Sequence, residues 1–137
     1  MGQSITVDKS FAFAVRIVNL YRFLVDEKRE HVLSKQLLRS GTSIGANVRE
    51  AMQSQGKKDF LNKINIALKE AYESYYWIEL LHATDYLDDR QKESLLTDCN
   101  EITSLLVATV KTTKENLAKE KKRNNSPLSS LLSYSPP

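Results

Sequence analysis

Proline is missing from residues 1–126, and Pro127, Pro136 and Pro137 all fall near the C-terminus. Only four glycines occur in 137 residues, and no Asn-Gly or Asp-Gly pair is present. Nothing here interrupts long helices, and the turn chemistry of β-hairpins is lacking. The single cysteine, Cys99, cannot form an internal disulfide, so nothing points to an oxidising compartment. No apolar run approaches the roughly 20 residues that a membrane span requires. The N-terminus lacks the basic-then-apolar pattern of a secretory signal. The expectation is a cytoplasmic chain that touches no membrane.

The net charge of +3 comes from 20 Lys and Arg against 17 Asp and Glu, and it is unevenly placed. Residues 111–123 contain Lys111, Lys114, Lys119, Lys121, Lys122 and Arg123 but only Glu115 and Glu120, a net of +4. Residues 1–110 carry 14 basic and 15 acidic side chains. The body is therefore neutral, and its charge does not argue for a domain-wide basic face for nucleic acid. The six cations at 111–123 form a candidate contact for a phosphate backbone, set against a solvated helix end whose lysines complement the helix dipole.

Hydrophobic spacing predicts four helices, over residues 8–28, 32–53, 57–84 and 89–121. Asp8 is the candidate N-cap of the first, and Gly56 the stop after the second. The fourth repeats Leu95, Cys99, Ile102, Leu106, Val110 and Leu117 at near-helical period. Short links between long helices imply antiparallel neighbours, hence an all-α, up-down-up-down four-helix bundle over residues 1–123. The stretch 124–137, rich in serine and proline, has the composition of a disordered tail.

Two helices are more apolar than one buried face demands. Between Phe11 and Val25 only Arg16, Asn19 and Arg22 interrupt the first helix. A helix apolar nearly all round must be covered on several sides, and a four-helix bundle covers one. In the third helix, Phe60, Ile64, Ala67, Leu68, Ala71, Tyr75 and Ile78 share a face, while Ile66, Trp77 and Leu80 form a second streak beside Glu73 and Tyr76. Singly exposed apolar residues are ordinary. A tryptophan flanked by isoleucine and leucine at helical spacing is better read as an interface. Ile66, Trp77, Leu80, Phe13 and Tyr21 are the candidate contacts for a second copy of the chain.

The second helix carries a polar stripe at four-three-four-three-four spacing: Gln36, Ser40, Ser43, Asn47, Glu50 and Ser54. It runs beside the apolar face of Leu37, Gly41, Ile44, Val48 and Met52. The stripe fits either a polar pocket or a hydrogen-bonded seam that fixes helix register. The seam of Ser40, Ser43, Asn47 and Glu50, with Glu70 or Glu73 opposite, is favoured because half-satisfied polar networks are costly. Gly41 and Gly45 each cost about 1 kcal/mol against alanine in a helix, so close approach of a neighbour is expected there.

Catalytic constellations are sparse. Glu79-Leu80-Leu81-His82 is one E-x-x-H unit, but di-iron bundles use two, and the other histidine is His31. Cys99 lies on an apolar stripe without a nearby histidine, as a small hydrophobe would. No catalytic residue, metal site or cofactor is predicted.

Ser40, Ser43-Ile44, Asn47, Glu50-Ala51, Ser54, Asp59-Phe60, Ile66-Ala67, Glu70, Glu73 and Leu80 together resemble the bacterial four helix bundle protein family. That family includes proteins encoded within intervening sequences of large-subunit ribosomal RNA genes. The resemblance covers about residues 5–120. Arg49 and Met52 depart from it, standing where small residues are usual. The resemblance implies a bundle assembling into a homo-oligomeric ring, typically a pentamer, with no established catalysis. A related branch, the accessory variability determinant of diversity-generating retroelements, partners a reverse transcriptase and binds nucleic acid through a basic surface. Here only residues 111–123 offer a comparable patch. The expected function is a non-catalytic adaptor or scaffold, and the alternative is an accessory protein for RNA, DNA or a nucleic-acid-processing protein.

Overall fold

A computed structural model describes residues 2–125 of the chain, with side chains from Ile5 onward. Four helices account for nearly all of it: α1 (Gly2–Asp26), α2 (Leu33–Met52), α3 (Lys57–Ala83) and α4 (Asp89–Asn124). No strand occurs among the described residues. The predicted tail, 124–137, falls outside them from residue 126 onward.

Each helix packs on its sequence neighbours, and α4 returns to α1 through the least extensive contact. The helices α1 and α3 stand diagonally across the bundle, as do α2 and α4. Cross-helix neighbours fix the directions. A Cβ on Gly45 would lie against Ser10 and one on Gly41 against Ile17, so α1 and α2 are antiparallel. Ser40 meets Ser74 and Glu50 meets Lys63, so α2 and α3 are antiparallel as well.

The core runs the length of this arrangement. It is built from Phe13, Ile17 and Leu24 of α1, Leu37, Ile44 and Val48 of α2, Ile64, Ile78 and Leu81 of α3, and Leu95, Ile102 and Leu106 of α4. Gly41 and Gly45 let α1 approach closely: an added Cβ would sit 2.9 Å from Ile17 Cγ1 or 3.2 Å from the Ser10 carbonyl oxygen. Arg16 ties α1 to α4 through Asp98 (2.8 Å) and Ser94, and Lys9 does so through Glu101 (2.8 Å). This fourth seam is held at its edge by two ion pairs.

The ends of the helices show what stops them. The first helix starts at Gly2, so Asp8 lies inside it and is not its N-cap; buried Thr6 and Ser10 extend the inward face below Phe13. Asp88 caps α4 in a full capping box with Gln91 (Gln91 N–H to Asp88 Oδ1, 2.7 Å; Asp88 N–H to Gln91 Oε1, 2.9 Å). At the end of α3 the chain turns through Asp85 at φ 69°, and Tyr86 N–H donates back to the Leu81 carbonyl at 2.9 Å. That is a Schellman ending with aspartate in the place glycine usually holds.

The start of α2 has an unusual cap. Val32 precedes it with no side-chain acceptor of its own. The Glu30 carboxylate instead accepts from the N–H groups of Val32 (3.1 Å), Leu33 (2.8 Å) and Ser34 (2.7 Å), while Ser34 Oγ donates to the Glu30 carbonyl at 2.8 Å. Burial would raise the Glu30 carboxyl, but these hydrogen bonds to its charged form prevail and hold it below the ordinary 4.5.

Candidate functional site

The predicted polar seam divides into two kinds of contact. Ser40 is buried on α2, and its hydroxyl lies 2.9 Å from that of Ser74, itself fully buried on α3. Glu50 pairs with Lys63 at 3.2 Å. These two links cross between helices. Ser43 and Asn47 bond within α2, Ser43 Oγ to the Arg39 carbonyl (2.6 Å) and Asn47 Nδ2 to the Ser43 carbonyl (2.8 Å). Ser74 was not among the predicted seam residues, yet a serine between Ala71 and Ile78 on the core stripe of α3 is the signal that marks it.

Glu70 and Glu73 lie on α3 just outside this seam, half-buried, in one stripe with Ile66, Trp77 and Leu80. At 100° per residue these five fall within a quarter-turn, on the side of α3 that leads from α2 to solvent. Trp77 Nε1 donates to Glu73 Oε1 at 3.3 Å, and Tyr76 meets the indole edge-on with ring centroids 5.0 Å apart. Burial and then the adjacent Glu73 push the Glu70 carboxyl above its ordinary value, against the pull of Arg39 and Lys69. The stripe thus holds two close carboxylates framed by apolar side chains, with Tyr76 exposed beside it.

The first helix supplies a second surface at the opposite corner. Phe11 (54% exposed) and Val15 (46%) face outward, and Val18 and Val25 are half-buried on the same side. Arg49 of α2 reaches over the Phe11 ring, 4.9 Å from its centroid, and covers it only in part. The three interrupting polar residues of this helix spread over about a third of a turn. Arg16 turns to α4, and exposed Arg22 stands on the outer face with no ion-pair partner among the described residues. Tyr21 is half-buried. Phe13 is 2% exposed and packs inside the protomer's own core, leaving it no surface to offer a second copy. Phe11 and Val15 hold the outward positions instead, because a helix apolar on every side does not show which face turns inward.

The basic end of α4 gains neighbours that are distant in sequence. The start of α3 lies against it: Lys57 pairs with Glu120 and, through that hydrogen bond, holds the Glu120 carboxyl below its ordinary value. Lys119 and Arg123 flank this pair, and Lys58 lies with Lys121 around an adjacent depression. A cavity of about 400 Å³ opens beside them, lined in part by Met52, Gln55, Phe60 and buried Thr113. Lys111, Lys114, Lys119, Lys121, Lys122 and Arg123 do not form one stripe. Their spacing spreads them over a little more than half the circumference of the helix, about 200°, and leaves the side that carries buried Thr113 clear.

The remaining reactive groups have structural partners. His82, near the end of α3, lies with Nε2 2.6 Å from Asp89 Oδ1. Cys99 is fully buried, donates to the Ala71 carbonyl (3.3 Å), and burial pushes its thiol up to about 11. No three His, Cys, Asp or Glu side chains converge on a common point among the described residues. None of the described helices is long and apolar enough to cross a membrane.

Comparison with known proteins places this arrangement. A family described as 23S rRNA-intervening sequence protein matches residues 3–108. A crystal structure at 1.70 Å of a protein of unknown function from the S23 ribosomal protein family of Bacteroides thetaiotaomicron is 58% identical. It matches with a TM-score of 0.80 over 81% of this chain and 99% of its own. No curated protein matches.

Proposed function

This chain belongs to the 23S rRNA-intervening sequence protein family, and from that premise we propose that it is a non-catalytic, homo-oligomeric helical bundle that serves as an adaptor or scaffold. The observation that carries the reading is the outward face of α1. Phe11 and Val15 are about half exposed in the protomer, beside Val18 and Val25. A contiguous apolar face of this kind marks an interaction site. The stripe of Ile66, Trp77 and Leu80 lies on α3, diagonally across the bundle. Two different sticky faces on opposite corners favour head-to-tail contacts, which close into a ring when the rotation permits. Five copies is the number that the family resemblance implies. Light scattering coupled to size exclusion, on the full chain at micromolar concentration, is expected to give several times the 15.6 kDa chain mass. A monomer there refutes the reading.

A second reading has its own support. Lys57 and Lys58 join the six cations of α4 at one pole of the bundle. A ring would gather such poles on one rim, and the cations on the outer half of each α4 would then face a shared polyanion from several copies. This reading makes the protein an accessory factor that holds an RNA or DNA backbone. Neutralising Lys111, Lys114, Lys119, Lys121, Lys122 and Arg123 together is expected to abolish RNA retention at low salt. Retention that survives neutralisation, or that does not fall as salt rises, rejects it.

A further inference from the structure

We infer that Arg22 of one copy docks on the Trp77–Glu73 pair of the next, and that this contact sets the register of the assembly. The inference rests on the assembly reading and adds the two faces that meet and the charges that align them. Arg22 is the one charge on the outward face of α1 between Phe11 and Val25, exposed and without an ion-pair partner among the described residues. Glu73 stands in the apolar stripe of α3, hydrogen-bonded to the Trp77 indole, close to Glu70, and in no ion pair among the described residues. Its neighbour Glu70 already has Arg39 and Lys69 close by. The α1 face therefore carries a cation and the α3 face carboxylates, each in apolar surroundings, and the signs are opposite.

The levels along the bundle agree. Rotation about an axis parallel to the helices preserves height, so α1 of one copy runs parallel to α3 of the next. The neighbours Gly41–Ile17, Gly45–Ser10, Ser40–Ser74 and Glu50–Lys63 relate heights across the helices. At 1.5 Å rise per residue they put the Arg22 Cα about 4 Å above that of Trp77 and about 10 Å above that of Glu73. Side chains on both parallel helices tilt toward their N-termini, in the same direction, so it is the greater length of the arginine side chain that carries the guanidinium down to the indole and the Glu73 carboxylate. A guanidinium over an indole gains cation–π attraction, and the carboxylate held by the indole N–H completes a charge-assisted bond. Glu79 lies closer in height, but it turns to the α4 side, where it lines a cleft with Asp89 and Lys92.

Charge reversal tests the pairing on the full chain. Arg22→Glu and Glu73→Arg are each expected to weaken assembly by about tenfold or more, read as the concentration at which light-scattering mass halves. The double variant R22E/E73R is expected to recover most of the wild-type mass, whereas R22E/E79R is not. Far-UV circular dichroism should be unchanged in R22E, since Arg22 makes no ion pair within the protomer. Full mass in R22E, no recovery in R22E/E73R, or recovery through Glu79 would each overturn the pairing while leaving assembly intact. A monomeric wild type would overturn assembly itself, and the pairing with it.

Discussion

Removing the Glu30 carboxylate should unlatch the start of α2. Three backbone N–H groups end on it, and the Ser34 among them is 1% exposed. Glu30→Ala loses an N-cap worth about 1–2 kcal/mol and a favourable charge at a helix N-terminus worth about 0.3–1 kcal/mol. It also strands the buried Ser34 N–H, at about 1–3 kcal/mol unless water enters. These effects overlap, since one set of bonds serves all three, so a loss of about 2–3 kcal/mol is expected in urea denaturation followed by circular dichroism at pH 7. Glu30→Gln keeps an acceptor but not the charge, and should cost about 1 kcal/mol. The pH dependence is a separate check. The carboxyl is held below its ordinary 4.5 in the folded chain, so its contribution is complete above that value and is lost as pH falls through the lower folded value. The gap between wild type and Glu30→Gln should therefore be constant from pH 7 to about 5 and shrink at more acid pH. An alanine variant within 0.5 kcal/mol of wild type, or a gap that widens in acid, refutes the capping role.

Gly41→Ala puts a methyl 2.9 Å from Ile17 Cγ1, in a β-branched side chain that is 1% exposed. The helix-propensity gain of about 1 kcal/mol should be outweighed by an overpacking cost of about 1–3 kcal/mol, giving a lower urea midpoint with an unchanged slope; a higher midpoint would show that α1 yields freely. Cys99, with its thiol pushed up to about 11 inside the core, should resist an aromatic disulfide reagent at pH 8 and react fully in urea. Fast labelling of the native protein would mean that α4 opens readily.

The boundaries of α3 and α4 were legible because local chemistry marks them: Gly56 before one, and Asp88 with Asp89 before the other. The start of α1 was not, since an aspartate at an exposed helical position looks the same as a capping one, and Asp8 proved to be the former. Glu30 sits in a run of charges from Asp26 to His31 that reads as a solvated turn. Its bonds reach only two to four residues along the chain, but glutamate is not among the residues that ordinarily mark a helix start, so nothing in the run singles it out. Ser40 was legible from its stripe, but its partner Ser74 lies 34 positions away and depends on the pairing of two helices. Lys57 and Lys58 are separated from the α4 cations by more than fifty residues, so the enlarged basic pole exists only once the bundle closes.

The misplacement of Phe13 bears on how the bundle relates to the proposed assembly. A helix that is apolar all round is ambiguous by itself, and the fold resolves it through the glycines opposite. With Gly41 at Ile17 and Gly45 at Ser10, the closest approach of α2 defines which side of α1 is inside. Phe13 lies between those two contacts and is drawn into the core. Phe11 and Val15, two residues to either side, are thereby turned outward, because a two-residue step on a helix is about 200°. Larger residues at 41 and 45 would relax that choice and let α1 roll, taking Arg22 off the outer face with Phe11 and Val15. The same two glycines that seat α1 inside the protomer therefore determine which side chains it presents outside it. A defect in packing at Gly41 should then appear in light-scattering mass as well as in stability.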